Sequence, residues 1–295
     1  MAGVEEAVDR AGAQRPWTDL ERPPLRVLAL RRALVGPGGW AALDVVARTG
    51  STNADLLERA AREDVPDGTV LVAEHQDAGR GRLGRTWSSP PRAGLAVSVL
   101  LRPAAAPERW SWLPLLTGVA VVDALGALGV DAGLKWPNDV LVAGPGRPGK
   151  VGGVLAEVRG GAVVLGAGVN VGQREQELPP AAPGLSAPGA PAPVPPTSLV
   201  LAGARSTDRD TVLRRYLRAL RTRLDEWAAD PGATAAAYRA ACRTLGAPVR
   251  AHLPGGDVLT GTAEDVDGTG RLVVRTSGGA ATSLAAADVV HLRGV

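Results

Sequence analysis

The stretch HQDAGRGRLGRTW, residues 75–87, holds Gly79, Gly81 and Gly84 in the spacing G-x-G-x-x-G. A dinucleotide-binding loop needs a strand before those glycines, a helix after them and an acidic residue about twenty positions on. GTVLVAEHQ (68–76) reads as the strand. The helix is missing, because RTWSSPPRAG (85–94) carries Pro90 and Pro91 and runs into another strand-like segment. No Asp or Glu lies between Asp77 and Glu108, and no G-x-x-x-x-G-K-[ST] phosphate loop occurs in the chain. A doubly wound dinucleotide fold is therefore rejected. What remains is a flexible glycine-rich loop bearing Arg80, Arg82 and Arg85. Glycine lets backbone N–H groups approach a ligand, and the arginine fork matches carboxylate and phosphate oxygens. Trp87 offers a flat face to a ring or an alkyl chain. The plain alternative is a solvated arginine-rich loop.

A second cluster is LKWPNDVLV (134–142), followed by GKVGGVLAEV (149–158) and VLGAGVNVG (164–172). Of the 33 basic residues only two are lysines, and both, Lys135 and Lys150, fall here. Trp136 and Pro137 are stiff and would fix Asn138 and Asp139; Gly152 and Gly153 again permit close backbone approach. A strand-entry turn explains Asn138 and Asp139 equally well at this point.

Other chemistries are excluded by what is absent. Cys242 is the single cysteine, so there is no intrachain disulfide and no four-cysteine zinc site. His75, His252 and His291 are far apart, and no Ser-His-Asp or Cys-His arrangement is evident. The net charge of +3 is spread along the chain, so no nucleic-acid partner is expected. The apolar stretch 110–130 is interrupted by Pro114, Thr117 and Asp123 and reads as a buried helix, not a membrane span. Glu5, Glu6 and Asp9 stand at the N-terminus with no apolar run after them, so no signal peptide and a cytoplasmic location are expected. An enzyme built from Arg, Lys, Gly and Asn works by positioning and charge stabilisation, which suits chemistry at phosphate.

The pattern along the chain predicts an α+β protein. Residues 1–22 read as a disordered leader and 24–36 as a short helix, with no room for a helix-turn-helix before residue 40. Residues 43–63 read as strand, polar turn and helix, the helix capped by Ser51 or Thr52 with Asp55 completing a capping box with Thr52. Further strands are expected at 93–103, 139–142, 151–158 and 162–168, and helices around 110–128, 212–227 and 233–245. Residues 179–196 hold eight prolines and read as a mobile linker. From 247 on, short alternating segments split by PGGD, DGTG and SGG predict a small β-barrel-like domain.

In their order, TGSTN, EHQDAGRGRLGRTW, GLKWPNDVLV, GKVGGVLAEV, GAGVNV and TSL resemble biotin protein ligases, from about residue 25 to the C-terminus. The resemblance implies a mixed-sheet catalytic domain with flanking helices, similar to class II aminoacyl-tRNA synthetases, at 23–245, and an SH3-like C-terminal domain at 246–295. It implies that biotin's carboxylate attacks the α-phosphate of ATP, accompanied by Mg²⁺. A lysine of a biotin carboxyl carrier protein then takes the biotinyl group. By motif position, Ser51, Thr52, Asn53 and Gln76 line the biotin pocket, and Arg80-Gly81-Arg82 form the adenylate loop beside biotin and phosphate. Lys150 bridges the biotin carboxylate and the α-phosphate, so that Lys150, Arg82 and Arg80 are the catalytic candidates. Trp87 packs near the adenine and Asn170 hydrogen-bonds it. Lys135, Asn138, Asp139 and Gly153 belong to the ATP region, with no metal ligand assigned. Two departures stand out: Gly152 takes a place where the family often has alanine, and the DNA-binding module of the repressor members is not seen, so no repressor role is expected. A lipoate- or fatty-acyl-adenylating ligase and a non-catalytic sensor are the rivals. The polar set Ser51, Thr52 and Gln76 favours biotin over an apolar tail.

Overall fold

The structure is a computed structural model that describes residues 22–62, 64–144, 146–180, 194–253, 256–285 and 287–292. The leader expected at 1–22 falls outside the described residues except for Arg22, and the centre of the proline-rich segment, 181–193, falls outside them too.

Helix α1 (Val27–Leu34) leads into β1 (Ala42–Val46), and α2 (Thr52–Arg62) carries the chain to β2 (Thr69–Ala73), which runs parallel to β1. The glycine-arginine stretch forms β3 (Gly79–Arg80) and β4 (Thr86–Trp87), a short antiparallel ribbon. Then follow β5 (Gly94–Leu101), α3 (Trp112–Gly126), β6 (Asp131–Lys135), β7 (Asp139–Ala143), β8 (Gly149–Arg159) and β9 (Ala162–Asn170). The main sheet has seven strands in the order β1-β2-β5-β9-β8-β7-β6, and every pair except β1–β2 is antiparallel.

Strand alternation sends successive side chains to opposite faces. Leu95, Val97 and Val99 of β5 and Leu165, Ala167 and Val169 of β9 join the main core, which also takes in α3 and α4 (Arg209–Ala229). Leu100 and Val164 face the other way and pack with Leu56 and Leu57 of α2. The sheet is thus covered by α3 on one face and, over only part of its length, by α2 on the other. The stretch α2 leaves uncovered becomes the cavity described below.

Helix α5 (Pro231–Ala241) ends earlier than the expected residue 245. Beyond it the backbone pairs with the edge of β6: Cys242 bridges Leu134, and Arg243 N–H donates to Leu134 O at 2.8 Å. Cys242 therefore caps the helix, and it is buried. The capping box also differs. Ser51 Oγ lies 3.5 Å from Ala54 N, whereas Asp55 accepts from Thr49 and Thr52 turns to Gln76.

The C-terminal strands β10 (Pro248–His252), β11 (Val258–Val266), β12 (Leu272–Arg275), β13 (Ala281–Leu284) and β14 (Asp288–His291) form one antiparallel sheet in the order β13-β12-β11-β10-β14. Its apolar face (Val249, Ala251, Val266, Val274) is continuous with the main core. Trp112 Nε1 donates to Gly268 O at 2.8 Å and Trp136 Nε1 to Gly270 O at 3.1 Å, which ties this sheet to α3 and to the β6–β7 turn.

Candidate active site

A cavity of about 520 Å³ opens on the α2 face of the main sheet. Strand registry explains its floor. Ser98 of β5, Gly166 of β9 and Leu155 of β8 form one row across the sheet, Ala96, Gly168 and Gly153 form the next, and Gly94 and Asn170 begin a third. The glycines in these rows make room for neighbouring side chains that wall the cavity. A Cβ on Gly166 would come within 2.3 Å of Asn53 Oδ1, and one on Gly168 within 2.6 Å of the Trp87 ring.

The first row carries a polar end. Thr52 N–H and Oγ1–H both donate to Gln76 Oε1, at 2.8 and 3.0 Å. Because a backbone N–H can only donate, the Gln76 amide is oriented and its Nε2 donor is left for a ligand. Ser98 Oγ lies 2.7 Å from Thr52 Oγ1 and 2.6 Å from Asn53 Oδ1. Ser51, Thr52, Asn53 and Ser98 are all buried, so this set of hydrogen-bonding groups is fixed before any ligand arrives.

The second row carries charge, and a bulge puts it there. Val140 pairs with Gly152 but the next residue, Leu141, pairs with Lys150, so Val151 is an extra residue in β8. In a strand without the bulge Lys150 and Gly153, three residues apart, would point to opposite faces. With it, both line the cavity, and Lys150 Nζ sits 3.7 Å from where a Gly153 Cβ would be. Lys150 Nζ pairs with Asp139 at 2.6 Å.

Arg80, Gly81, Arg82 and Trp87 line the cavity from the β3–β4 ribbon. The glycine-rich loop takes the form of a hairpin, closed by Gly81 N–H to Arg85 O at 2.7 Å and Arg85 N–H to Arg82 O at 3.2 Å. Burial and the neighbouring Arg85 push the Arg82 guanidinium downward from its usual range, while Asp139 and Asp288 offset this. Arg85 Nη1 approaches Asp288 of β14 at 3.8 Å, so the C-terminal sheet borders the loop.

At the third row Asn170 donates to Thr197 O at 2.9 Å and accepts from Gln173 Nε2 at 3.0 Å. The second hydrogen of its amide remains for a ligand. Asn138 lines the cavity and locks to β8, its Nδ2 donating to Val154 O at 3.1 Å. Lys135 and Asp139, which pair across the β6–β7 turn, are not in the cavity wall. Lys135 lies two strands out from Gly153 in the same cross-strand row, where burial pulls its ammonium below the ordinary lysine range against the attraction of Asp139 and Asp288. Every other candidate from the sequence lines the cavity. Two residues outside the lining were missed in the sequence: Ser98, which backs Thr52 and Asn53 and which a lone polar residue in the apolar run of β5 could have signalled, and Glu157, whose partners lie far along the chain.

The family model for the biotin/lipoate A/B protein ligase family matches residues 45–173, and that for the biotin protein ligase C-terminal domain matches residues 244–292. A biotin--[acetyl-CoA-carboxylase] ligase of Mycobacterium tuberculosis is 46% identical over 281 residues, covering 93% of this chain and 98% of the relative. The chain belongs to the biotin protein ligase family. A ligase of the same printed name from Paracoccus denitrificans is 34% identical, covering 80% of this chain and 95% of that one. Among solved structures, the biotin protein ligase of Aquifex aeolicus in complex with biotin and ATP superposes with a TM-score of 0.68 at 27% identity, over 85% of this chain and 100% of that chain. The family assignment accords with a cavity that is polar at one end and cationic at the other. Among the described residues no helix is long and apolar enough to cross a membrane.

Proposed function

We propose that this chain joins biotin to ATP in the cavity, forming biotinyl-5′-adenylate, and passes the biotinyl group to a lysine of a biotin carboxyl carrier domain. The observation that carries this reading is the order of groups along β9. The fixed polar end beside Gly166 comes first, Trp87 and Lys150 beside Gly168 and Gly153 come next, and Asn170 follows. That order matches the head of biotin, the reacting carboxylate and phosphate, and the adenine.

In the first step a carboxylate oxygen of biotin attacks the α-phosphorus, and the bond to the β-phosphate oxygen breaks to release pyrophosphate. Two anions must meet, so the barrier is largely electrostatic. Lys150 supplies a compact charge at the meeting point, held by Asp139. Arg80 and Arg82 cover the same space from the hairpin. In the second step a carrier amine attacks the acyl carbon, AMP leaves, and the nitrogen loses a proton. The chain needs no nucleophile of its own, which accounts for the missing Ser-His and Cys-His arrangements.

Among the described residues no three His, Cys, Asp or Glu side chains gather to cage a metal. The donor set does fit Mg²⁺, which binds through one or two carboxylates together with phosphate oxygens. Asp139 would hold it only by exchanging its pair with Lys150, and the bound ion would neutralise phosphate charge.

Gln76 Nε2 and the Ser51 and Thr52 hydroxyls match a ureido carbonyl and its N–H groups, whereas a dithiolane ring would leave them unpaired. Purified protein should therefore exchange pyrophosphate into ATP only when biotin is present, with no exchange on lipoate. Exchange driven equally by lipoate would overturn the biotin assignment, and the lack of any exchange would overturn adenylation. The carrier is proposed to be a carboxylase biotin domain, the class named for the M. tuberculosis relative.

A further inference from the structure

Glu157 is an anion beside a cavity that reads as a site for two anions, and the reaction above gives it no task. It sits on β8 one row beyond Leu155 and is absent from the cavity wall. Its carboxylate has two partners. Asn53 Nδ2 donates to Oε2 at 2.9 Å, and Arg80 Nη2 lies 3.2 Å from Oε1 and 3.3 Å from Oε2. Asn53 is buried and held at every polar atom, with Nδ2 also donating to Leu155 O at 3.1 Å and Oδ1 facing Ser98 Oγ at 2.6 Å. Gly166 exists as glycine because Asn53 fills its side-chain space. One carboxylate therefore joins a rigid buried amide to an arginine whose side chain is 48% exposed.

We propose that Glu157 is a positioning residue: it fixes Arg80 of the hairpin over the cavity by anchoring it to the Asn53–Ser98 pair. An isolated surface ion pair is worth little because both chains must be ordered to form it. Here the acidic partner is already ordered by Asn53, so only Arg80 loses freedom. A rotation of the Glu157 carboxylate moves Asn53 at the polar end and Arg80 at the charged end together. The consequence is coupling between the biotin pocket and the loop that retains the adenylate. The inference rests on the reading under Proposed function.

The test uses the full chain with Glu157→Gln, Glu157→Ala, Arg80→Ala and the Glu157→Gln/Arg80→Ala double variant. The readouts are the dissociation rate of preformed biotinyl-adenylate and the Kd for biotin. Glutamine keeps an acceptor for Asn53 but loses the charge that holds Arg80. It should release adenylate about tenfold faster, the worth of one charge-assisted hydrogen bond, with biotin Kd within about twofold of wild type. Glu157→Ala should weaken both. Adding Arg80→Ala to Glu157→Gln should change the dissociation rate by less than about twofold, because the two residues act through one contact. Adenylate retention at the wild-type level in Glu157→Gln, or full multiplication of the two single effects, overturns the inference. If Glu157→Ala does not fold, Glu157→Gln and the double variant still decide it. Wild-type protein without biotin-dependent exchange would sink the functional reading itself, whereas normal exchange with an unaltered Glu157→Gln sinks only this inference.

Discussion

Along β9, Gly166, Gly168 and Asn170 face the cavity from a strand whose other side is buried in the core. Across from them, Arg80 of β3 and Arg82 of the hairpin tip face the same cavity, and Lys150 faces it from a bulge. The floor is shaped by what its residues lack. Its glycines are sites where a methyl group would meet Asn53 or Trp87. The rim is shaped by charge on side chains held by ion pairs, Lys150 by Asp139 and Arg80 by Glu157. The floor selects the ligand by shape, and the charged rim stabilises charge that appears only during reaction. Changes on the rim should therefore strike rate, and changes on the floor should strike affinity.

Lys150→Ala should give the largest effect. Adenylate formation is expected to fall by a factor of about 10²–10³, as when one preorganised donor is removed from a developing charge. Biotin affinity should stay within a few-fold, since the polar end does not involve Lys150. Single-turnover adenylation alongside equilibrium biotin binding checks this. Equal losses in both would break the division between floor and rim.

The floor itself divides by row. Gly168→Ala drives a methyl group into the Trp87 ring and should weaken ATP binding about tenfold with little change for biotin. Gly166→Ala displaces Asn53 and should do the reverse. Titration calorimetry with each ligand reads both variants. Matching losses for the two ligands would show that the rows are not separate subsites.

The sequence carries much of this, and the gaps have physical causes. Apolar alternation marks β2, β5, β8 and β9 because each is buried on at least one face. Strand β6, DAGLK, escapes notice because it is an edge strand with one small residue at its centre. Strand β13, ATSL, escapes because three of its four residues are exposed and carry no pattern. The motif residues are legible as a set, yet sequence cannot place Lys135 outside the wall and Lys150 in it. The place of Lys150 depends on the bulge at Val151, which is visible only from strand pairing. Glu157 has the same difficulty, since its partners lie 77 and 104 residues away.

Behind the rim, the C-terminal sheet supports the β6–β7 turn, and His291 shows how tightly. Its Nε2 lies 3.0 Å from Thr244 Oγ1, which also accepts the Trp136 N–H at 2.9 Å. Burial, reinforced by the Lys135 charge, lowers the pKa of His291 to about 4. The unfolded chain takes up this proton near the ordinary value of about 6.5, while the folded chain refuses it until about pH 4. Stability from this group is therefore complete above about pH 6.5, falls as the pH drops toward 4, and is level below that. Since the ring is partly exposed, solvent screening reduces the full linkage value. His291→Gln keeps a polar contact to Thr244 without the titration, and it should reduce the fall in Tm between pH 7 and pH 4.5 by about 2–4 °C. The effect is the smallest of the series because it acts on the support of the rim and not on the cavity. An unchanged fall in the variant would mean that the titration of His291 does not set the acid sensitivity of this support. The tie between the turn and the C-terminal sheet would then rest on Trp136 and Gly270 rather than on a buried neutral imidazole.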